Sequence, residues 1–437
     1  MPKHETSCAL VWFRNDLRVR DQHSLYKACE NHDKVIALYC IDPRHFEYDN
    51  YGFRRTGPFR TKFLLDTLGD LKSRLNDLNI SLFVFHAKPE DQIPEFCKTF
   101  GIDHIYFQNE WTEYEQNVEQ ALRNWLDTGI TLKGSYDQFL YHPEDIPIPI
   151  SEIPEVFTSF RKRIEKNCQI RPLVEISQKP KNNLIENHSL IPSLQNLGYH
   201  DIKIPVQTAF PFSGGENSAL ERLQNYFFKT GNLANYKKTR NGLLGTDYSS
   251  KFSPWLANGS LSARMVYWAV KRFEKAFKKS DSTYWMIFEL IWRDYFKYVS
   301  MRYGKQIFSL AGIKNIKRDW RTDYKDVRRW INGETDSDFV NANMIELKQT
   351  GWMSNRGRQN VASYLAKTLK VDWRIGAAYF ESMLVDYDVD SNYGNWMYVA
   401  GVGNDPRDRT FNVELQADRY DHNHAFRSRW LNKNLFS

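Results

Sequence analysis

CALVWF, residues 8–13, is six apolar residues entered from a polar terminus and closed by Arg14. A run this short, rich in aliphatic and aromatic residues, reads as a buried strand. KVIALYC (34–40), SLFVFHA (81–87) and HIYF (104–107) repeat it. Between them FRTKFLLDTLGDLKSRL (59–75) and YEQNVEQALRNWL (114–126) carry the three-to-four apolar spacing of amphipathic helices. Strands separated by helices predict a doubly wound, Rossmann-like parallel α/β domain over residues 1–140. No GxGxxG follows the first strand, so a dinucleotide at the usual helix N-terminus is not supported.

From Tyr141 the character changes. HPEDIPIPISEIPEVF (142–157) and SQKPKNNLIENHSLIPS (177–193) are rich in Pro, Asn and Ser and flank one helical pattern, SFRKRIEKN. Residues 141–213 therefore read as a long connector. From Gly214 helical spacing dominates, and residues 214–437 are expected to be all-helical. A chain of 437 residues is too long for one core and suggests two or three domains. Of the 13 tryptophans, most must be core. The net charge of +7 tilts toward a polyanionic partner without establishing one. The 5 cysteines are odd in number and lack a CxxC, which indicates neither a disulfide framework nor a cysteine zinc site. No metal-ligand cluster is expected. The N-terminus lacks a secretory h-region and no apolar run has membrane-spanning length, so no membrane partner and a cytoplasmic location are expected, with a monomer as the default.

One segment resists a core reading. DYDVDSNYGNWMY, Asp386 to Tyr398, packs three acids into five residues directly after the apolar helix pattern YFESMLV. Acids this close repel, so either they are solvated or a buried partner offers positive charge. After SNRGRQ, Val361, Leu365 and Leu369 mark one helix, and Asp372 can N-cap the next through Ile375, Tyr379 and Met383. A hairpin of these helices would bring Arg358 toward Asp386 or Asp388. A second odd acid is Glu289, within the stripe Trp285, Phe288, Trp292 and Phe296 of STYWMIFELIWRDYFKYV. It either pairs with Arg293 at i,i+4 or belongs to a pocket wall.

WFRNDLRVRD, RNGLLGTDYSSKFSPWLANGSLSAR, TGWMSNRGRQNVASYLAKTLKVDWR and DYDVDSNYGNWMYVAGVGNDPRDR, with the helix above, make the chain resemble the photolyase/cryptochrome flavoproteins from end to end, most closely their DASH branch. The resemblance implies an α/β antenna domain, a connector wrapping it, and a helical domain holding folded FAD. It implies that Asp386 pairs with Arg358 beside the isoalloxazine, that Asp388 serves the adenine-ribose side, and that Asn392 faces flavin N5. TDYSSKFS would take the pyrophosphate through Ser249, Ser250, Lys251 and Ser253, although the segment alone reads as a Ser-rich turn and cap. Tyr236, Phe252, Glu289, Arg293, Trp352 and Asn355 complete the implied pocket. Trp396, Trp373 and Trp320 correspond to the family's electron-transfer tryptophans.

The implied activity is blue-light repair of cyclobutane pyrimidine dimers by an electron from excited, reduced FAD. Trp292 would stack the lesion, while Arg240, Asn355 and Arg356 would meet base and phosphate. Gln359 and Tyr398 replace a methionine and a tryptophan of double-strand photolyases, which points to single-stranded DNA as preferred substrate, with RNA or duplex weaker. FQNEW places Asn109 and Glu110 where relatives hold 5,10-methenyltetrahydrofolate as antenna. ETDSDFVNANM departs from the family: the turn proline and glycine are missing and Asn341 replaces an aspartate. The rival expectations are a light sensor that does not repair, disfavoured by a chain that ends at FRSRWLNKNLFS soon after the helical core, and a flavin electron carrier without nucleic acid.

Overall fold

The computed structural model describes residues 7–431. Strands β1 (Cys8–Phe13), β2 (Lys34–Cys40), β3 (Leu82–Phe85), β4 (His104–Gln108) and β5 (Thr131–Ser135) form one parallel sheet in the order β3-β2-β1-β4-β5. Every residue of β1 is buried. Its central position explains the composition: Trp12 lies beside Leu38 of β2 and Phe107 of β4. Alternate β1 residues feed two cores, with Ala9, Val11 and Phe13 on one face and Leu10 and Trp12 on the other. The four apolar runs all form strands. The fifth strand, TLKGS, carries no hydrophobic signature because it is a largely exposed edge.

The chain lays β2 and β3 on one side of β1 and then crosses to β4 on the other. Such a reversal opens a crevice at the carboxyl ends of the two central strands. Arg14, Asn15 and Asp16 lie at one of those ends, Asn109 and Glu110 at the other.

The connector contains the helix Phe157–Asn167 and three single 3-10 turns, Ile150–Glu152, Lys181–Asn183 and Gln195–Leu197, and is otherwise irregular. It closes the other sheet edge. Val84 N of β3 donates to Ser189 Oγ at 3.0 Å, Asn187 Nδ2 donates to Leu82 O at 2.5 Å, and Ile185 N donates to Ser81 Oγ at 3.0 Å. Side chains thus occupy donors and acceptors that would otherwise template aggregation.

From Glu216 onward the described structure is helical, as expected. Asp281–Tyr303 is the long central helix, packed against Val389–Ala400. Asn355–Ser363 continues through a π-helical turn, Tyr364–Thr368, and Asp372 caps Trp373–Met383 by accepting from Arg374 N. Among the described residues no helix is long and apolar enough to cross a membrane.

Buried charges join the α/β and helical parts. Arg264 reaches Asp21 and Asp137, each at 3.0 Å, and Asp294 accepts from the backbone N–H groups of Leu140 and Tyr141. Arg18 donates to Gly259 O, where the backbone passes so closely that a Cβ would stand 2.0 Å from Asn15 O. Removing one partner of a buried ion cluster leaves the others uncompensated, at a cost of about 3–5 kcal/mol. Arg264→Leu is therefore expected to lower unfolding free energy by an amount of that order in urea titrations. A change no larger than that of a surface Arg→Leu control would contradict the assignment of Arg264 as the joining charge.

Candidate functional site

Two cations answer the three acids of the Asp386–Tyr398 segment. Arg358 NH2 donates to both oxygens of Asp386 at 2.9 Å. It stands in the first turn of a helix capped by Ser354, whose Oγ accepts from Gly357 N. Asp388 caps the following helix by accepting from Ser391 N. The second cation is Lys297, whose Nζ lies 2.8 Å from Asp388 and 2.9 Å from Asp390. Asp390 also accepts from Trp111 Nε1 at 3.2 Å.

The sequence reading found Arg358 and missed Lys297. The signal was there: Glu289, Arg293 and Lys297 follow one another at i, i+4 and i+8 on one helix face. Burial alone would raise the Asp388 carboxyl, but Lys297 and Arg293, with the Ser391 hydrogen bond, hold it well below the usual carboxylate range. Asp390 goes the other way, raised by burial and by Asp388 beside it.

Two adjoining cavities, of about 260 and 90 Å³, meet at Asn355, Arg358, Asp386, Asp388 and Ser391. The larger is lined by Tyr236, Arg240, Ser249, Ser250, Lys251, Phe252, Ser253, Glu289, Arg293 and Trp352. The smaller is lined by Gln359, Asn392 and Trp396 together with Phe380 and Tyr387. The residues expected to hold the cofactor in the helical part thus line these two adjoining cavities. Tyr248, Met286, Phe380 and Tyr387 were not singled out from sequence; each lies inside a helix pattern or quoted segment where core and pocket wall read alike.

The polar chemistry of this space is uneven. Lys251 is 2% exposed, its backbone is left-handed at φ 64°, and its Nζ has no hydrogen-bond partner. The ammonium lies between the rings of Tyr248, 3.1 Å from the centroid, and Trp352, at 4.6 Å. Burial pushes Lys251 well below its ordinary pKa, with Glu346 opposing. A buried amine without a hydrogen-bond partner, beside three serines, suits an anionic group such as a pyrophosphate, whose charge favours its protonated form. At the other end Asn392 Nδ2 donates to Ala377 O at 3.0 Å, which leaves Oδ1 as an acceptor.

Glu289 does not pair with Arg293. It meets Arg240 at 2.9 Å, while Arg293 donates to the carbonyls of Gln138 and Leu256. Burial raises the Glu289 pKa, partly offset by Arg240. Trp292, Arg356 and Tyr398 line neither cavity. Phe157 of the connector stacks on Trp292 at 3.7 Å between centroids, with the Tyr398 ring edge-on at 6.2 Å. Arg356 donates to Asn241 Oδ1 and lies over the Tyr420 ring.

Trp396 and Trp373 are buried and Trp320 is half-buried. The rings around Trp396 are Phe380 at 5.1 Å and Trp330 at 6.3 Å, while Trp373 meets Tyr393 at 6.1 Å. The altered ETDSDFVNANM segment is held by its own substitution. Asn341 Oδ1 accepts from Thr335 N and Oγ1 at 2.8 and 2.7 Å, and its Nδ2 returns a bond to Thr335 O.

In the α/β part, Glu110 accepts from Asn15 Nδ2 at 2.9 Å, and Asn109 packs so tightly on Gly134 that a Cβ there would stand 1.8 Å from Oδ1. Beside them Gln108 Oε1 and Gln138 Oε1 are buried acceptors without a partner. That donor-poor set fits a ligand edge rich in N–H groups. One side-chain grouping departs from expectation: His32, Asp103 and His104 offer ligand atoms all within 4.8 Å of one another. Sequence spacing hid it because His32 ends a helix far from the other two in the chain.

Glu346, 1% exposed, has no partner for Oε2, and burial pushes its pKa up to about 8 against the pull of Lys251 and Arg358. Between pH 4.5 and about 8 the folded chain keeps a proton that the unfolded chain has lost, so this group's contribution to stability falls as pH rises and levels off above that window. Glu346→Gln removes the titration. Its stability advantage over the unchanged protein should grow across the window, by at most about 1.4 kcal/mol per pH unit. Parallel pH profiles in urea titrations would contradict the buried, protonated carboxyl.

Family models described as DNA photolyase and as FAD binding domain of DNA photolyase match residues 9–181 and 285–434. Cryptochrome DASH of Gloeobacter violaceus is 44% identical over 98% of this chain and 86% of its own length. The Xenopus laevis protein of the same name is 44% identical over 99% and 83%. A crystal structure of a Synechocystis cryptochrome superposes with a TM-score of 0.94 at 44% identity, covering 98% of this chain and 89% of that one.

Proposed function

The chain belongs to the photolyase/cryptochrome family of flavoproteins, and from that premise we propose that it repairs cyclobutane pyrimidine dimers under blue light, preferentially in single-stranded DNA. The observation that carries this reading is the pair of adjoining cavities, with the unpartnered Lys251 amine and the Arg240–Glu289 pair on the wall of the larger and Asn392 as an acceptor in the smaller. FAD, when bound and reduced, supplies the light-driven electron that opens the dimer.

The protein's own residues hold and screen. Lys251 with Ser249, Ser250 and Ser253 would take the pyrophosphate, and Tyr236, Phe252 and Trp352 would enclose the cofactor. Arg358 and Asp386 would hold the flavin edge, and Asp388, fixed by Lys297, would accept from the ribose side. Asn392 Oδ1 would accept a hydrogen bond at N5, the atom protonated on reduction, and so favour the reduced cofactor. Trp396, Trp373 and Trp320 would carry electrons inward from the surface.

For the substrate, Asn355 would meet the flipped base, Arg356 and Arg240 the phosphates, and Glu289 a base N–H through its remaining acceptor capacity. Trp292 has one ring face under Phe157, so a base can stack only on the other. Extrusion from a duplex costs a few kcal/mol that the pocket must return. Gln359 and Tyr398 would return less than the thioether and indole they replace, which favours single strands. We place a methenyltetrahydrofolate antenna against Asn109 and Glu110, at the crevice between β1 and β4, with Gln108 and Gln138 as acceptors for its N–H groups. The free cysteines fit a reducing compartment such as the cytoplasm.

The test is repair of one thymine dimer in a single strand and in its duplex by chemically reduced protein under blue light, with dark controls. Faster light-dependent repair of the single strand is expected. Equal rates would remove the strand preference, and no repair by protein with photoreducible FAD would favour a sensor. Trp396→Phe should slow photoreduction of oxidised protein at least about tenfold, on the premise that each 1.36 kcal/mol of barrier is a factor of ten. It should leave repair by pre-reduced protein intact, and loss of both together would contradict the assigned route.

A further inference from the structure

We propose that His32, Asp103 and His104 form a binding site for a divalent transition metal of the zinc class, at the end of the sheet away from the flavin cavity. His104 opens β4 at the opposite end from Gln108, and Asp103 precedes it. His32 caps the helix His23–Asn31, which packs on β4. One nitrogen from each imidazole and one carboxylate oxygen lie within 4.8 Å of one another.

One pair of candidate ligand atoms, hydrogen-bonded to each other here, stands close to the spacing a metal imposes. His104 Nδ1 is 3.0 Å from Asp103 Oδ1. Two ligands at bond lengths of about 2.0–2.1 Å in a tetrahedron are separated by about 3.3 Å. The two imidazole centroids are 4.6 Å apart. Two nitrogens and one carboxylate oxygen make the donor set that zinc, nickel and copper share, with a fourth position left for water.

A second observation concerns His32 itself. It is 7% exposed, and its Nδ1 has no hydrogen-bond partner. Its other nitrogen, Nε2, lies 3.1 Å from Tyr106 Oη, which also receives Lys133 Nζ at 3.3 Å. With Nδ1 on a metal, the ring proton resides on Nε2 and is donated to the tyrosine oxygen, the contact that orients a ligating imidazole. The orphaned nitrogen and its bonded twin are thus both accounted for.

Charge and access are consistent with moderate affinity. Lys133 and Lys179 oppose a cation, but the Lys179 ammonium is engaged by the carbonyls of Cys29 and His32. Asp103 supplies the offsetting charge. The side chains of His104 and Asp103 are 27% and 46% exposed, which gives the ion an entry path. A metal there would pin the end of the first helix to the start of β4 and stabilise the α/β part by mass action. This inference is independent of the repair reading.

The experiment titrates Zn²⁺ into the chelator-stripped, full-length flavoprotein by calorimetry and follows the melting temperature in parallel. One equivalent should bind and raise the melting temperature. His104→Ala and Asp103→Asn, both at partly exposed positions, should each weaken that equivalent at least about tenfold and remove the thermal shift. Their flavin content, unchanged, reports an intact fold. Co²⁺ in place of Zn²⁺ should give the visible absorption of a four-coordinate N/O site, lost in His32→Ala. No binding by the unchanged protein, or the same stoichiometry and affinity in His104→Ala and Asp103→Asn, would overturn the site.

Discussion

A single ammonium, Lys297 Nζ, stands between Asp388 and Asp390 inside the protein, and the arrangement around the cavity follows from it. Like-charged carboxylates this close cannot both ionise in a dry interior without a cation. Lys297 supplies that cation from the long central helix, so the helix carrying Glu289 and Arg293 is tied in register to the helix carrying Asn392 and Trp396. Arg358 does the same for Asp386 from a third helix. Three helices therefore converge on one acidic segment, and the space left between them is the cavity.

The same acids link the two halves of the molecule. Asp390 accepts from Trp111, which follows directly on Asn109 and Glu110 at the end of β4. A continuous path of contacts runs from the crevice of the α/β part through Trp111, Asp390 and Lys297 to Asp388 on the cavity wall. Arg264 and Asp294 hold the two parts in that relation with further buried charge. This joint is rigid because each polar group in it is desolvated and loses its partner if either part moves.

Much of this was legible in the sequence, for reasons that differ by element. The strands CALVWF and KVIALYC announce themselves because both faces are buried; TLKGS does not, because an edge strand needs no apolar residue. The helix start at Asp372 was legible because N-caps have specific chemistry. Arg358 was found through helix-hairpin geometry, whereas nothing local to Lys297 in the sequence connects it to the acids it meets, 91 and 93 residues on. Glu289 was flagged as an acid in the wrong place, but its partner Arg240 sits just past the short helix Tyr236–Thr239, which no periodicity connects to it. The roles of Ser249, Lys251 and the tryptophans came from resemblance, since spacing alone does not separate a Ser-rich turn from an anion site. Asn341 was read as a departure from the family pattern; in the structure its amide makes three hydrogen bonds to Thr335.

The most direct test of this account replaces the central cation. Lys297→Met keeps the length of the side chain and removes its charge, which leaves Asp388 and Asp390 buried and facing one another. The account predicts a marked fall in both FAD content per chain and stability, with substantial recovery of both when Asp390→Asn is added. Full FAD content and unchanged stability in Lys297→Met alone would contradict it, as would a double variant no better than the single one.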